Sequence, residues 1–152
     1  MSPTERRFHR RAAVSCFNGA WDLLDKKRSA AEDKEMLELA HASRYHWGLV
    51  GEPRNWAVSD WQISRVYAAV GQPELSLMFA ESCLEICEEK GLSDILHTAD
   101  EAMARAYAAS GDFVSAKRYL REARRRLDSL RLPKDDRKVY LGQIQDTEAL
   151  IH

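Results

Sequence analysis

Ser64-Arg65-Val66-Tyr67-Ala68-Ala69-Val70-Gly71 is answered 40 residues further on by Ala104-Arg105-Ala106-Tyr107-Ala108-Ala109-Ser110-Gly111. Arg, Tyr, Ala, Ala and Gly fall in the same register both times, and an amphipathic segment follows each Gly. Small residues let two antiparallel helices approach. The Tyr fills the space near the turn, and the Gly takes the backbone angles that let the chain leave a helix. One such hairpin cannot hide its own apolar face, so hairpins stack and bury a continuous core. The match therefore predicts an all-α chain of antiparallel helical hairpins.

The pattern extends outward from this match. A helix opens near Asn55 and carries Trp56, Ile63, Val66, Tyr67 and Val70 on one side. Pro73 sits in the first turn of the next helix, where its missing N–H costs nothing. Leu77, Ala80, Cys83, Leu84 and Cys87 then recur at helical spacing until Gly91. Ser93 and Asp94 open a helix that reaches Ser110, and after Gly111-Asp112 the series Phe113, Ala116, Leu120, Ala123, Leu127 marks another. Leu132-Pro133 ends it. A last helix, Lys134 to Leu150, has Val139, Ile144 and Leu150 as a weak apolar side.

Toward the N-terminus, residues 1–5 read as frayed, and Val14, Phe17, Trp21 and Leu24 stripe a helix from Glu5 or Arg6 to Lys27. Ser29 with Glu32 fits a capping box for a second helix, which Gly51-Glu52-Pro53 breaks. About seven helices in one domain follow: 6–50 as an N-terminal hairpin or cap, 55–91 and 93–130 as repeats, and 134–150 as a capping helix. No segment reads as a strand, and short connections force antiparallel neighbours.

The 152 residues can bury a core without staples; 45% are apolar and 31% charged, with a formal net charge of -1. That balance argues against a polyanion as the partner of the whole surface. Cys83 and Cys87 lie within an apolar stripe and Cys16 makes the count odd, which reads as buried thiols in a reducing compartment. No apolar run approaches a membrane span, and no signal-peptide pattern follows Arg6, Arg7, Arg10 and Arg11. Cytoplasmic residence is the expectation.

The repeat resembles the tetratricopeptide family. Tyr107, Gly111, Ala116, Leu120 and Ala123 match the tail of that family's motif, and Tyr67, Gly71, Ser76, Ala80 and Cys83 match it more loosely. The likeness covers residues 56–130. The period of 40 exceeds the family's usual one of about 34 residues, so longer helices are expected. The resemblance implies a right-handed superhelix whose first helix in each repeat lines a concave face. It also implies a protein- or peptide-binding scaffold without catalysis; some members serve in homo-oligomers, so a homodimer is one alternative, and a small-molecule-binding or enzymatic helical-repeat protein with a pocket around His41, Trp47 and Trp61 is another.

By the same resemblance Trp61, Arg65, Glu101 and Arg105 lie on the concave face. The two arginines stand one repeat apart and could hold a carboxylate or phosphate, or be surface residues paired with glutamates such as Glu101. Trp47 and Trp61 are the rings expected to be exposed as anchors, although large rings at helical spacing are more often core. His41, Arg44 and Trp61 could gather at one end of the groove. His41 and His46 are five apart, which does not place two ligands on one helical face, so no metal and no cofactor is expected. Asp60 and Glu101 could approach across repeats, but solvated carboxylates are the plainer reading. No phosphate loop, His-Glu-x-x-His or nucleophile elbow is present, so the chain reads as no enzyme. Between Lys117 and Lys138 ten bases face four acids. Without aromatic interleaving this reads as an outer face balancing Glu81, Glu85, Glu88 and Glu89 of the fourth helix, rather than as a nucleic-acid site.

Overall fold

The computed structural model describes residues 1–152. It has seven α-helices and no strand: α1 (Pro3–Leu24), α2 (Ala30–Val50), α3 (Pro53–Ala69), α4 (Pro73–Glu89), α5 (Leu96–Ser110), α6 (Phe113–Asp128) and α7 (Lys134–Glu148), with one 3-10 turn at Ser93–Ile95. Helices α1 and α2, α3 and α4, and α5 and α6 pack as three hairpins. α2 then joins α3, α4 joins α5, and α7 lies against α5 and α6. This is a helical-repeat arrangement.

Burial shows that all three hairpins share one register. The buried residues of α2 are Met36, Ala40, Ser43 and Trp47, those of α4 Ser76, Ala80, Cys83 and Cys87, and those of α6 Ala116, Leu120, Ala123 and Leu127. Every member of one set lies 40 positions from its counterpart in the next. The first helices obey the same spacing, because Trp21 stacks on Trp61 with ring centroids 5.4 Å apart and Trp61 hydrogen-bonds Glu101. Helices α1, α3 and α5 therefore run parallel.

The hairpin turns follow from their sequences. Gly71 and Gly111 have φ of +78° and +85°, a region costly for other residues. They let Gln72 N–H reach the Tyr67 carbonyl at 2.9 Å and Asp112 N–H reach that of Tyr107 at 3.0 Å, closing both helix ends. The α1–α2 connection has no such Gly. There Arg28 Nη1 donates to the carbonyls of Leu23, Leu24 and Lys26, and Ser29 and Glu32 form the expected capping box.

Some boundaries differ from expectation. Residues 2–5, read as frayed, form the capped first turn of α1: Ser2 Oγ accepts from Glu5 N–H at 3.1 Å, the Glu5 carboxylate accepts from Ser2 N–H at 2.8 Å, and Pro3 starts the helix. α3 starts at Pro53, and Asn55, read as its cap, instead accepts from Glu52 N–H at 3.0 Å from within the first turn. Ser93 and Asp94 lie in the 3-10 turn before α5, and α7 stops at Glu148. The buried side of α7 is Ile144 and Thr147 with Tyr140 and Leu141 partly covered, while Val139 and Leu150 are exposed.

Candidate functional site

The inner face of α1, α3 and α5 carries a column at 40-residue intervals: Trp21, Trp61, Glu101. Because α3 and α5 are parallel, Trp61 Nε1 points at Glu101 and donates to its Oε2 at 2.7 Å. The other carboxylate oxygen accepts from Arg65 Nη1 at 3.1 Å, from Arg105 Nε at 3.4 Å and from Thr147 Oγ1 at 2.6 Å. Arg65 also reaches Asp146 at 3.3 Å, and its guanidinium lies 5.3 Å from the Trp21 ring centre and 5.8 Å from that of Trp61. The structure thus brings Trp61, Arg65, Glu101 and Arg105 together.

It brings them together as partners of one another under α7. Trp61 is 5% exposed and Arg65 9%, so neither presents an open surface. Both arginines already hold carboxylates of the chain, Glu101 for both and Asp146 for Arg65. Burial lowers the proton affinity of Arg105, and Glu101 beside it works in the opposite direction. Buried charges persist only when paired and hydrogen-bonded, and two cations here face one buried and one exposed carboxylate.

Trp47 and Trp61 were expected to be exposed, and both are buried. Trp47 packs between the helices at the α2–α3 turn, and its carbonyl accepts from Trp56 Nε1 at 2.9 Å. Gly51 is required there by space: a Cβ would come within 2.8 Å of the Trp47 ring. His41 and Arg44 do not join Trp61. His41 Nε2 meets Tyr67 Oη at 2.8 Å, and Arg44 Nε donates to Asp60 at 3.1 Å. Ser82 Oγ donates to the same carboxylate at 2.6 Å. These residues tie α2, α3 and α4 together. Asp60 and Glu101 thus serve separate clusters. Burial raises the pKa of Asp60, and it lowers that of His41 despite the nearby Asp60 charge.

The counterpart of Asp60 one repeat on, Asp100, is also buried and lies 2.8 Å from Arg126. Burial pushes its pKa up to about 6. α4 and α6 do not touch, and no ion pair joins them, so the expected balance of acidic α4 against basic α6 is not made within the chain.

An unfilled space remains where α1 and α7 fail to meet. A recess of about 330 Å³ is floored by Trp61, Ile95 and Thr98, walled by Phe17, Trp21 and Val58, and faced by Val139 and Tyr140 of α7. A second recess of about 240 Å³ shares Phe17 and Val58 with it and continues to Val14, Trp47 and Asn55. Together they form an apolar trough along α1 and α3 with Asn18, Gln143 and Arg54 at its edge. The sequence reading placed Phe17 and Val139 in helix stripes and missed Val58 and Tyr140. Their only signal was that each is an apolar residue off the main stripe of its helix.

No protein-family model matches the chain, and no curated protein or solved structure matches it.

Proposed function

We propose that this chain is a non-catalytic binding scaffold, a divergent tetratricopeptide-like right-handed stack, which holds an apolar segment of a partner polypeptide in the trough between α1, α3 and α7. The observation that carries the reading is the continuity of the two recesses through Phe17 and Val58. Ligand sites are mostly apolar with a few polar groups at the edge, and this trough has that composition. Its lining hydroxyls, Ser59, Thr98 and Tyr140, have no carboxylate, imidazole or thiol beside them among the lining residues to act as a base, which favours binding over acid–base or nucleophilic chemistry.

In this reading Trp61 and Trp47 contribute ring surface to the walls. Arg65, Glu101 and Arg105 hold Trp61 in place, and His41 and Arg44 brace α2 against α3. The three unpaired thiols favour a reducing, cytoplasmic setting.

Selection of a displayed random-peptide library tests the proposal. Enriched peptides should carry two apolar anchors and bind the wild-type chain. They should lose about tenfold or more in affinity for Val58→Arg, whose side chain would occupy both recesses, a loss of at least about 1.4 kcal/mol. Peptides that bind both proteins equally would remove the trough as the site.

A further inference from the structure

The outer faces of α4 and α6 carry matching exposed positions, and at the centre of the match the charge is opposite, Glu81 against Arg121 and Glu85 against Arg125. On α4 the exposed stripe is Glu74, Met78, Glu81, Glu85, Glu88; on α6 it is Val114, Arg118, Arg121, Arg125, Asp128. Each member of the second stripe lies 40 residues after its counterpart in the first. None of the α4 glutamates makes an ion pair within the chain. Of the three arginines only Arg125 has an acidic partner, Glu122 on its own helix, while Arg118 lies over the Tyr119 ring.

α4 is antiparallel to α3 and α6 to α5, and α3 and α5 are parallel, so α4 and α6 run the same way. A two-fold axis parallel to both helices, raised off this face above the midline between them, lays α4 of one copy on α6 of the other, and α6 on α4, without reversing either. In that register Glu81 meets the second copy's Arg121 and Glu85 meets its Arg125, each pair occurring twice, while Glu88 faces its Asp128 at the exposed end of the seam and opposes the contact. We propose that this convex face is a self-complementary surface for a second copy of this chain, joined by the acidic α4 stripe and the basic α6 stripe. A closed two-fold pair uses the same patch on both subunits, and complementary potentials set its orientation. A nucleic acid is the poorer fit, because a backbone lying on α6 would run beside the glutamates of α4. Exposed ion pairs each contribute little, so the dimer is weak and salt-sensitive.

The test is sedimentation equilibrium at low salt on the wild-type chain and two charge-reversed variants, Glu81→Arg/Glu85→Arg and Arg121→Glu/Arg125→Glu. The wild type should approach the mass of two chains and return to one in about 1 M salt, where the Debye length is about 3 Å. Each variant alone should remain a single chain, since the two central positions of both its stripes then carry one sign, and an equimolar mixture of the two should associate. A wild type that stays monomeric at high concentration and low salt overturns the proposal. So does a dimer that salt does not dissociate, a variant that dimerises as the wild type does, or a mixture that fails to associate. If circular dichroism shows a reversed variant unfolded, the neutral variants Glu81→Gln and Arg121→Gln replace it. Each should weaken the wild-type dimer, and no change in either overturns the pairing. A labelled DNA duplex that binds and dissociates the dimer reassigns the α6 stripe to nucleic acid.

Discussion

Glu101 accepts four hydrogen bonds, from Trp61 and Arg65 on α3, from Thr147 on α7 and from Arg105 one turn on along its own helix α5. Replacing it by Gln keeps the shape, removes the charge that Arg65 and Arg105 share, and turns one acceptor into a donor facing donors. Breaking one side of a buried ion pair costs about 3–5 kcal/mol. Urea unfolding of Glu101→Gln should show a loss of that order, and a loss within the noise of a surface substitution would show that the network is not integral to the fold. Asp100 makes a different prediction. Its ordinary pKa of 3.8 is raised to about 6 by burial, so between those values the native chain holds a proton that the unfolded chain releases. Stability from this group is greatest below the lower value and falls as pH rises through the window, by about 1.4 kcal/mol per unit. Asp100→Asn removes that slope. The stability difference between wild type and variant should therefore fall from about pH 4 to about pH 6 and level off above; a difference that is flat across this range would contradict the burial argument.

At the scale of the helix, α7 is the element whose position decides what the inner face can do. It has two buried residues, Ile144 and Thr147, whereas α5 has ten. Few buried contacts mean a low free energy of local opening. Amides of α7 should exchange with solvent roughly tenfold or more faster than those of α5. Ile144→Ala should widen that gap while leaving α3 protected; equal protection in α5 and α7 would mean that α7 opens only with the whole molecule. The hairpins themselves were legible in the sequence, because Tyr67-Ala68-Ala69 and Tyr107-Ala108-Ala109 repeat with a Gly that the turn requires. The register of the first hairpin was not, since Met36, Ser76 and Ala116 share burial but not residue type, as do Trp47, Cys87 and Leu127. The meeting of Trp61, Arg65, Glu101 and Arg105 followed from the 40-residue offset and one helical turn. Their cover did not, because α7 reaches them through Thr147, which is fully buried on Glu101, and through the exposed Asp146, and hydrophobic patterning shows neither of these polar contacts.

Across the whole molecule, hairpins touch mainly the next hairpin, so stability is distributed along the stack rather than held in one centre. Met36 is fully buried between α1, α2 and α3, and its replacement by Ala removes about 2–5 kcal/mol of packing. Hydrogen exchange followed by mass spectrometry should show that loss concentrated in α1 and α2 and diminishing toward α6; a uniform loss would mean that the three hairpins unfold as one unit. The trough is lined by α1, α2, α3, α5 and α7 and the charged stripes belong to α4 and α6, so occupying either leaves the other free. The unbroken 40-residue register reaches further than folding. Unequal recombination between matching points, such as the start of α3 and the 3-10 turn that precedes α5, would delete or duplicate one entire hairpin without shifting a single buried position in the others. The length of this chain is therefore a trait that can change in whole steps, with every buried position kept in register and only the side chains at the new junction left to be refitted, as Glu101 without its α3 donors Trp61 and Arg65 would be.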